Sequence, residues 1–164
     1  MIVLGVDPGS HVTGYGVVES GAGGTLRALA WGAIRAPRQA PVGERLKKIA
    51  VGLRAVISAH HPDTLAIEES FLAANPRTAL ILGMARGAVM LVGAEAGLAM
   101  REYAALLVKK TVAGYGHAGK DQLGLMVRHI LALKQTPAPH DASDALAIAV
   151  TCLTLMRAER RMAR

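Results

Sequence analysis

Hydrophobic and polar positions alternate at the start of the chain. IVLGVD (Ile2–Asp7) is rich in β-branched residues and alternates weakly, which predicts a buried strand. VTGYGVVES follows the PGS turn with a clear two-residue period, and LRALAWGAIRA repeats it after the Gly21–Gly24 turn. Three strands joined by short Gly-rich links imply an antiparallel meander, ended by Pro37 and Pro41. The period then becomes helical. Leu46, Ile49, Leu53, Val56 and Ile57 share one face of a helix over Gly43–Ala59, stopped by His60, His61 and Pro62. Thr64–Glu68 is a short apolar strand with its acid at the end. Asn75-Pro76 opens a long helix from about Arg77 to Ala96. Next come a strand around Ala99–Tyr103, a helix from Ala104 to about Val112, a helix over Asp121–Leu133 and a last helix over about Asp141–Ala158. The expected fold is α/β and a single domain over 1–164: a mixed five-stranded sheet, meander first and parallel strands after, flanked by helices.

Composition narrows the class. With 164 residues, 52% hydrophobic and 19% charged, the chain should build a large core without covalent staples. The lone Cys152 sits in the apolar run AIAVTCLTL, which suits a buried thiol in a reducing compartment. MIVLGVDPG lacks the basic and apolar regions of a secretory signal. The apolar stretch Ala79–Met100 is interrupted by Arg86 and Glu95, and is expected to be a buried helix rather than a membrane span. A cytoplasmic protein is expected. The formal charge of +7 and pI near 10.1 favour a polyanionic partner such as nucleic acid.

Against that basic background four acids stand out: Asp7, Glu68, Asp141 and Asp144. Each lies beside an apolar element, where a carboxylate is costly unless something neutralises it. Oxygen donors of this kind suit Mg²⁺ or Mn²⁺, and the expectation is that folding gathers them into one cation cage. Strand alternation prevents Glu68 and Glu69 from sharing a face, and Glu68 is favoured because it follows Ile67 directly. Asp141 and Asp144 share a helix face, although the same position also suits an N-terminal cap. Asp7 has a plainer alternative too, since DPG is an ordinary turn. In GYGHAGKD the spacing imitates a nucleotide-binding loop, but Asp121 stands where Ser or Thr is needed after Lys120. Such a loop leading into a helix can still hold a DNA phosphate.

Taken together, GVDPGSHVTGYGVV (5–18), AIEESF (66–71), ALILGMARGAV (79–89), VKKTVAGYGHAGKDQ (108–122) and DASDALAIA (141–149) resemble the RuvC family of Holliday-junction resolvases, within the ribonuclease-H-like superfamily. The resemblance implies that Asp7, Glu68, Asp141 and Asp144 are the catalytic and metal-binding acids. It implies two Mg²⁺ or Mn²⁺ ions and hydrolysis that leaves a 5′-phosphate and a 3′-hydroxyl. Some relatives carry His at the position of Asp141, and here His140 adjoins it. The resemblance assigns Lys109 and Lys120 to DNA near the scissile phosphate and Phe71 to the junction crossover, where an aromatic ring can stack on a base. Arg77 is a further candidate for the DNA face. Ala79, Gly83 and Gly87 form a smooth helical stripe, which the resemblance assigns to a homodimer contact with the twofold symmetry that paired nicks require. Four-way junction DNA, the branch-migration proteins RuvA and RuvB, and a bacterial cytoplasm complete what it implies. The alternative is a ribonuclease-H-like nuclease acting on RNA or rRNA precursors. An ATP-binding kinase-like domain is less suitable, because it needs two related domains around the nucleotide.

Overall fold

The computed structural model describes residues 1–69 and 75–163. Five strands run β1 (Ile2–Asp7), β2 (Val12–Ser20), β3 (Leu26–Arg35), β4 (Thr64–Glu69) and β5 (Ala99–Ala104), in the sheet order β3-β2-β1-β4-β5. β1, β2 and β3 pair antiparallel, whereas β4 lies parallel to both β1 and β5. The helices are α1 (Val42–His60), α2 (Pro76–Glu95), α3 (Ala105–Ala113), α4 (Lys120–Ile130) and α5 (His140–Met162).

Alternation along the strands feeds two cores, one on each face. Leu4, Val6, Val17, Leu65 and Ile67 pack against Ile49 and Leu53 of α1 and Ala85, Val89 and Val92 of α2. Val3, Val18, Ala66 and Tyr103 meet α3, α4 and α5 through Val108, Val112, Leu123, Val127, Leu146 and Ile148. Full burial of such side chains contributes roughly 1.5–3 kcal/mol each. The result is a three-layer sandwich.

Close approach between α5 and the sheet depends on glycine. A Cβ on Gly5 would overlap the Ala145 carbonyl oxygen, and one on Gly14 would overlap that of Asp141. A Cβ on Gly16 would stand 2.8 Å from the Leu146 backbone nitrogen. With hydrogen in these three places, the first turns of α5 lie directly on β1 and β2.

Three expectations need correction. α4 ends at Ile130 instead of Leu133, because Ala132 turns the chain with a left-handed φ of 49° while Leu131 stays buried. Periodicity alone extends the helix through such apolar residues. α5 runs on to Met162, its polar last turns held in solvent by Arg101–Glu159 and by Arg157 donating to the Gly23 carbonyl at 3.0 Å. α2 is long and apolar enough to cross a membrane, yet it is not the buried helix expected. Its inner face packs on the core, whereas Leu80 and Leu91 are 61% and 58% exposed.

Candidate active site

Asp7 and Glu68 reach the site as neighbours. Val6 pairs with Ile67 across the parallel β1–β4 ladder, and each acid is the next residue on its strand. Odd positions of β1 point to α5, as Val3 and Gly5 do, so Asp7 faces that side. Ala66 shares the α5 core, hence Glu68 faces it too and Glu69 turns to the opposite layer. Arg86 holds Glu68 from behind. Its Nη1 donates to the Glu68 carbonyl at 2.7 Å and its Nη2 pairs with Glu102.

α5 brings the third acid. The helix starts at His140 with no side-chain cap, so neither Asp141 nor Asp144 is engaged in the capping that their position allows. Asp7, Glu68 and Asp144 line one cleft of about 230 Å³ together with Lys109 and Lys120. Ala105, Val108 and Leu123 form its apolar wall. Lys120 opens α4 and places Nζ 3.6 Å from Asp144 Oδ2. Asp141 does not line the cleft, although its charge reaches Asp7 and Asp144. His140 turns towards Asp121, at 3.8 Å, and Arg77 is exposed in the first turn of α2, away from the cleft. Phe71 lies outside the described residues.

The electrostatics are those of crowded anions. Asp7 is pushed up from 3.8 to about 7, first by burial and then by the charges of Glu68, Asp144 and Asp141. Burial raises Glu68 as well, with Asp144 adding to the effect. Asp144 is raised mainly by burial, against the opposing pull of Lys120. A cleft in which several carboxylates resist ionisation requires positive charge.

An oxygen-only donor set suits a hard divalent cation, and the three cleft acids fit Mg²⁺ or Mn²⁺ in chemistry. The expected ready-made cage is not present. Among the described residues, no three acidic, His or Cys side chains are already grouped to grip an ion.

Three features of the site escaped sequence reading. The Gly5, Gly14 and Gly16 contacts depend on a helix that lies far along the chain. The hold of Arg86 on Glu68 runs through a backbone carbonyl, which leaves no pattern in side-chain type. The third is Arg45, a charged side chain buried in α1.

Acids at the ends of adjacent parallel strands, met by an acid-bearing helix across a mixed five-stranded sheet, define a ribonuclease-H-like nuclease. The sequence model for the family "Crossover junction endodeoxyribonuclease RuvC" matches residues 3–152, and the chain belongs to this family. It is 45% identical over 152 residues to the crossover junction endodeoxyribonuclease RuvC of Heliobacterium modesticaldum, covering 93% of each chain. Identity to the Azorhizobium caulinodans protein of the same name is 50% over 149 residues, covering 91% and 87%. The structure of T. thermophilus RuvC in complex with Holliday junction substrate superimposes with a TM-score of 0.90 at 37% identity, covering 97% and 96%.

Proposed function

We propose that this chain is a divalent-cation-dependent endonuclease that resolves four-way DNA junctions in recombination and repair. The observation that carries the reading is the convergence of Asp7, Glu68 and Asp144, from three separate elements, on one cleft that also holds two lysines. A basic chain with an acidic pocket suits a polyanionic substrate cut by a cation-assisted hydrolase.

Asp7, Glu68 and Asp144 would hold Mg²⁺ or Mn²⁺, two ions per site, with Asp141 joining from the rim. The chemistry supplied by the bound cations is neutralisation of phosphate charge and activation of the attacking water. The protein's own part is alignment. Strand pairing fixes Asp7 beside Glu68, and Arg86 braces the backbone that carries Glu68. Lys109 and Lys120 present ammonium groups to the phosphate from the α3 and α4 side. Water attacks phosphorus, the bond to the 3′-oxygen breaks, and the strand is left with a 5′-phosphate and a 3′-hydroxyl. Phe71 is proposed to stack on a base at the crossover.

Paired nicks require two sites related by a twofold axis. The exposed face of α2, with Leu80, Met84 and Leu91 beside Gly83 and Gly87, is apolar and open to close helix approach, which supports a homodimer. RuvA and RuvB are the proposed partners, and the cytoplasm the proposed location.

The test sets a synthetic four-way junction against matched linear duplex and an RNA–DNA hybrid, with and without Mg²⁺. Symmetric nicking of the junction alone, dependent on Mg²⁺, is expected. Equal cutting of the linear duplex contradicts the reading, and preference for the hybrid favours the RNA-directed alternative. Within the same assay Glu68→Gln should slow cleavage by roughly 100-fold or more, while Glu69→Gln stays close to the unaltered protein. Equal losses in the two variants would show that strand alternation does not select the acid.

A further inference from the structure

Among the described residues, Arg45 of α1 is the one charged side chain in the buried core, at 6% exposed. Nη1 donates to the Ser10 carbonyl at 3.4 Å and lies 3.1 Å from His11 Nδ1 and 3.2 Å from Nε2. Nε is buried with no hydrogen-bond partner. No carboxylate lies within ion-pair distance of the guanidinium among the described residues. A buried cation without a counter-ion costs several kcal/mol of desolvation, which one long hydrogen bond to a carbonyl offsets only in part, and guanidinium is the side chain best shaped for an oxyanion.

The surroundings add positive charge. Arg38 is exposed and close enough for its charge, after burial and alongside Arg45, to hold the His11 imidazole below its usual range. The positive charge of this corner is carried by the two arginines. Arg35 ends β3 opposite Val12, and the Ala36 amide donates to the His11 carbonyl at 2.8 Å, which ties that end of β3 to the same loop. α1 begins after Pro41 with no side-chain cap, so its first amides have no side-chain acceptor. Ser10 and His11 follow Asp7 by three and four residues, a span of roughly 14 Å at most. The cluster thus sits at the same sheet end as the acids, beside α1, whereas Lys109 and Lys120 approach from the α5 face.

We propose that Arg45 and Arg38, with the Pro8–His11 loop, bind a second backbone phosphate of the DNA strand, a few nucleotides from the scissile one. The inference rests on the nuclease reading for its ligand. With a phosphate oxygen on Arg45 the buried charge is paired, and the loop that carries Asp7 is gripped from both sides of the sheet. The strand is then held in line at two points, one in the cleft and one beyond it.

The test measures binding by fluorescence anisotropy, without divalent ions and with EDTA, over a salt series on both junction and linear duplex. R45M should lower the slope of log affinity against log salt by about 0.9 on both DNAs, the signature of one lost phosphate contact. R45K should keep the slope. A scan of uncharged methylphosphonate linkages should find one position that weakens binding by the unaltered protein and not by R45M. An unchanged slope in folded R45M, or a scan with no such position, overturns the proposal and leaves Arg45 a strut for the loop. If R45M does not fold, R38M decides, because that residue is exposed: a smaller slope supports the site and an unchanged one overturns it. Equal affinity for junction and duplex, together with no junction cleavage once Mg²⁺ is supplied, would sink the resolvase reading separately, since the slope judges Arg45 on either DNA.

Discussion

Asp7→Asn is expected to abolish junction cleavage, by more than about 10³-fold, and at the same time to stabilise the cation-free protein at pH 8. Both effects follow from the same carboxylate. Asp7 is the acid most strongly resisting ionisation, held at about 7 by burial and by Glu68, Asp144 and Asp141 around it. Its unfolded-state value is near 3.8, so between those two pH values the folded chain keeps a proton that the unfolded chain has lost. The contribution to stability is complete below about 3.8 and is lost as pH rises through about 7. Without divalent ions the unaltered protein should therefore melt lower at pH 8 than at pH 5, by at most about 3 kcal/mol of stability. The amide does not titrate and removes the repulsion, so the variant should melt several degrees higher at pH 8, at about 2–4 °C per kcal/mol. Mg²⁺ should raise the melting temperature of the unaltered protein much more than that of the variant. Thermal unfolding in EDTA at both pH values checks this. A variant less stable than its parent at pH 8 would show that Asp7 is a structural group and not a stored charge.

Gly5→Ala is expected to be among the most destabilising single methyl additions to this chain. The new Cβ would meet the Ala145 carbonyl, stand 2.7 Å from the Ala149 nitrogen and 3.0 Å from the Ala149 Cβ. Two of those contacts are helix backbone and cannot turn aside. Overpacking of ordinary side chains costs about 1–3 kcal/mol, and a backbone obstacle places this change at or above the upper end. α5 must move away from β1, and Asp144 adjoins Ala145, so cleavage should fall together with stability. Gly43→Ala is the control. It adds a methyl in open space at the first turn of α1 and should leave both properties close to those of the parent. Chemical denaturation and junction cutting measured on both variants check the claim. A Gly5→Ala protein of normal stability would mean that α5 does not lie on the sheet as closely as described.

The meander, the period switch at α1 and the positions of the acids were all legible because they rest on local patterns. Strand alternation put Glu68 and Glu69 on opposite faces of the sheet, since the rule depends only on which neighbour is buried. What the pattern could not supply was partner identity. Gly5, Gly14 and Gly16 read as permissive strand residues until α5 is seen against them. Leu80 and Leu91 read as core, because apolarity alone does not say whether a residue faces its own chain's interior. Arg45 falls next to Leu46 in an amphipathic helix, where a charge is expected to face solvent, and it does not. Three of the four acids, Asp7, Glu68 and Asp144, line one cleft, and Asp141 does not.

The most direct measurement is the anomalous scattering of Mn²⁺ in a crystal of the chain bound to a four-way junction. Density for the ion in contact with Asp7, shared with Glu68 or Asp144 and beside a backbone phosphate, is the expected result. Ions found only on other residues, with these three side chains directed to solvent while junction DNA is in place, would contradict the central claim.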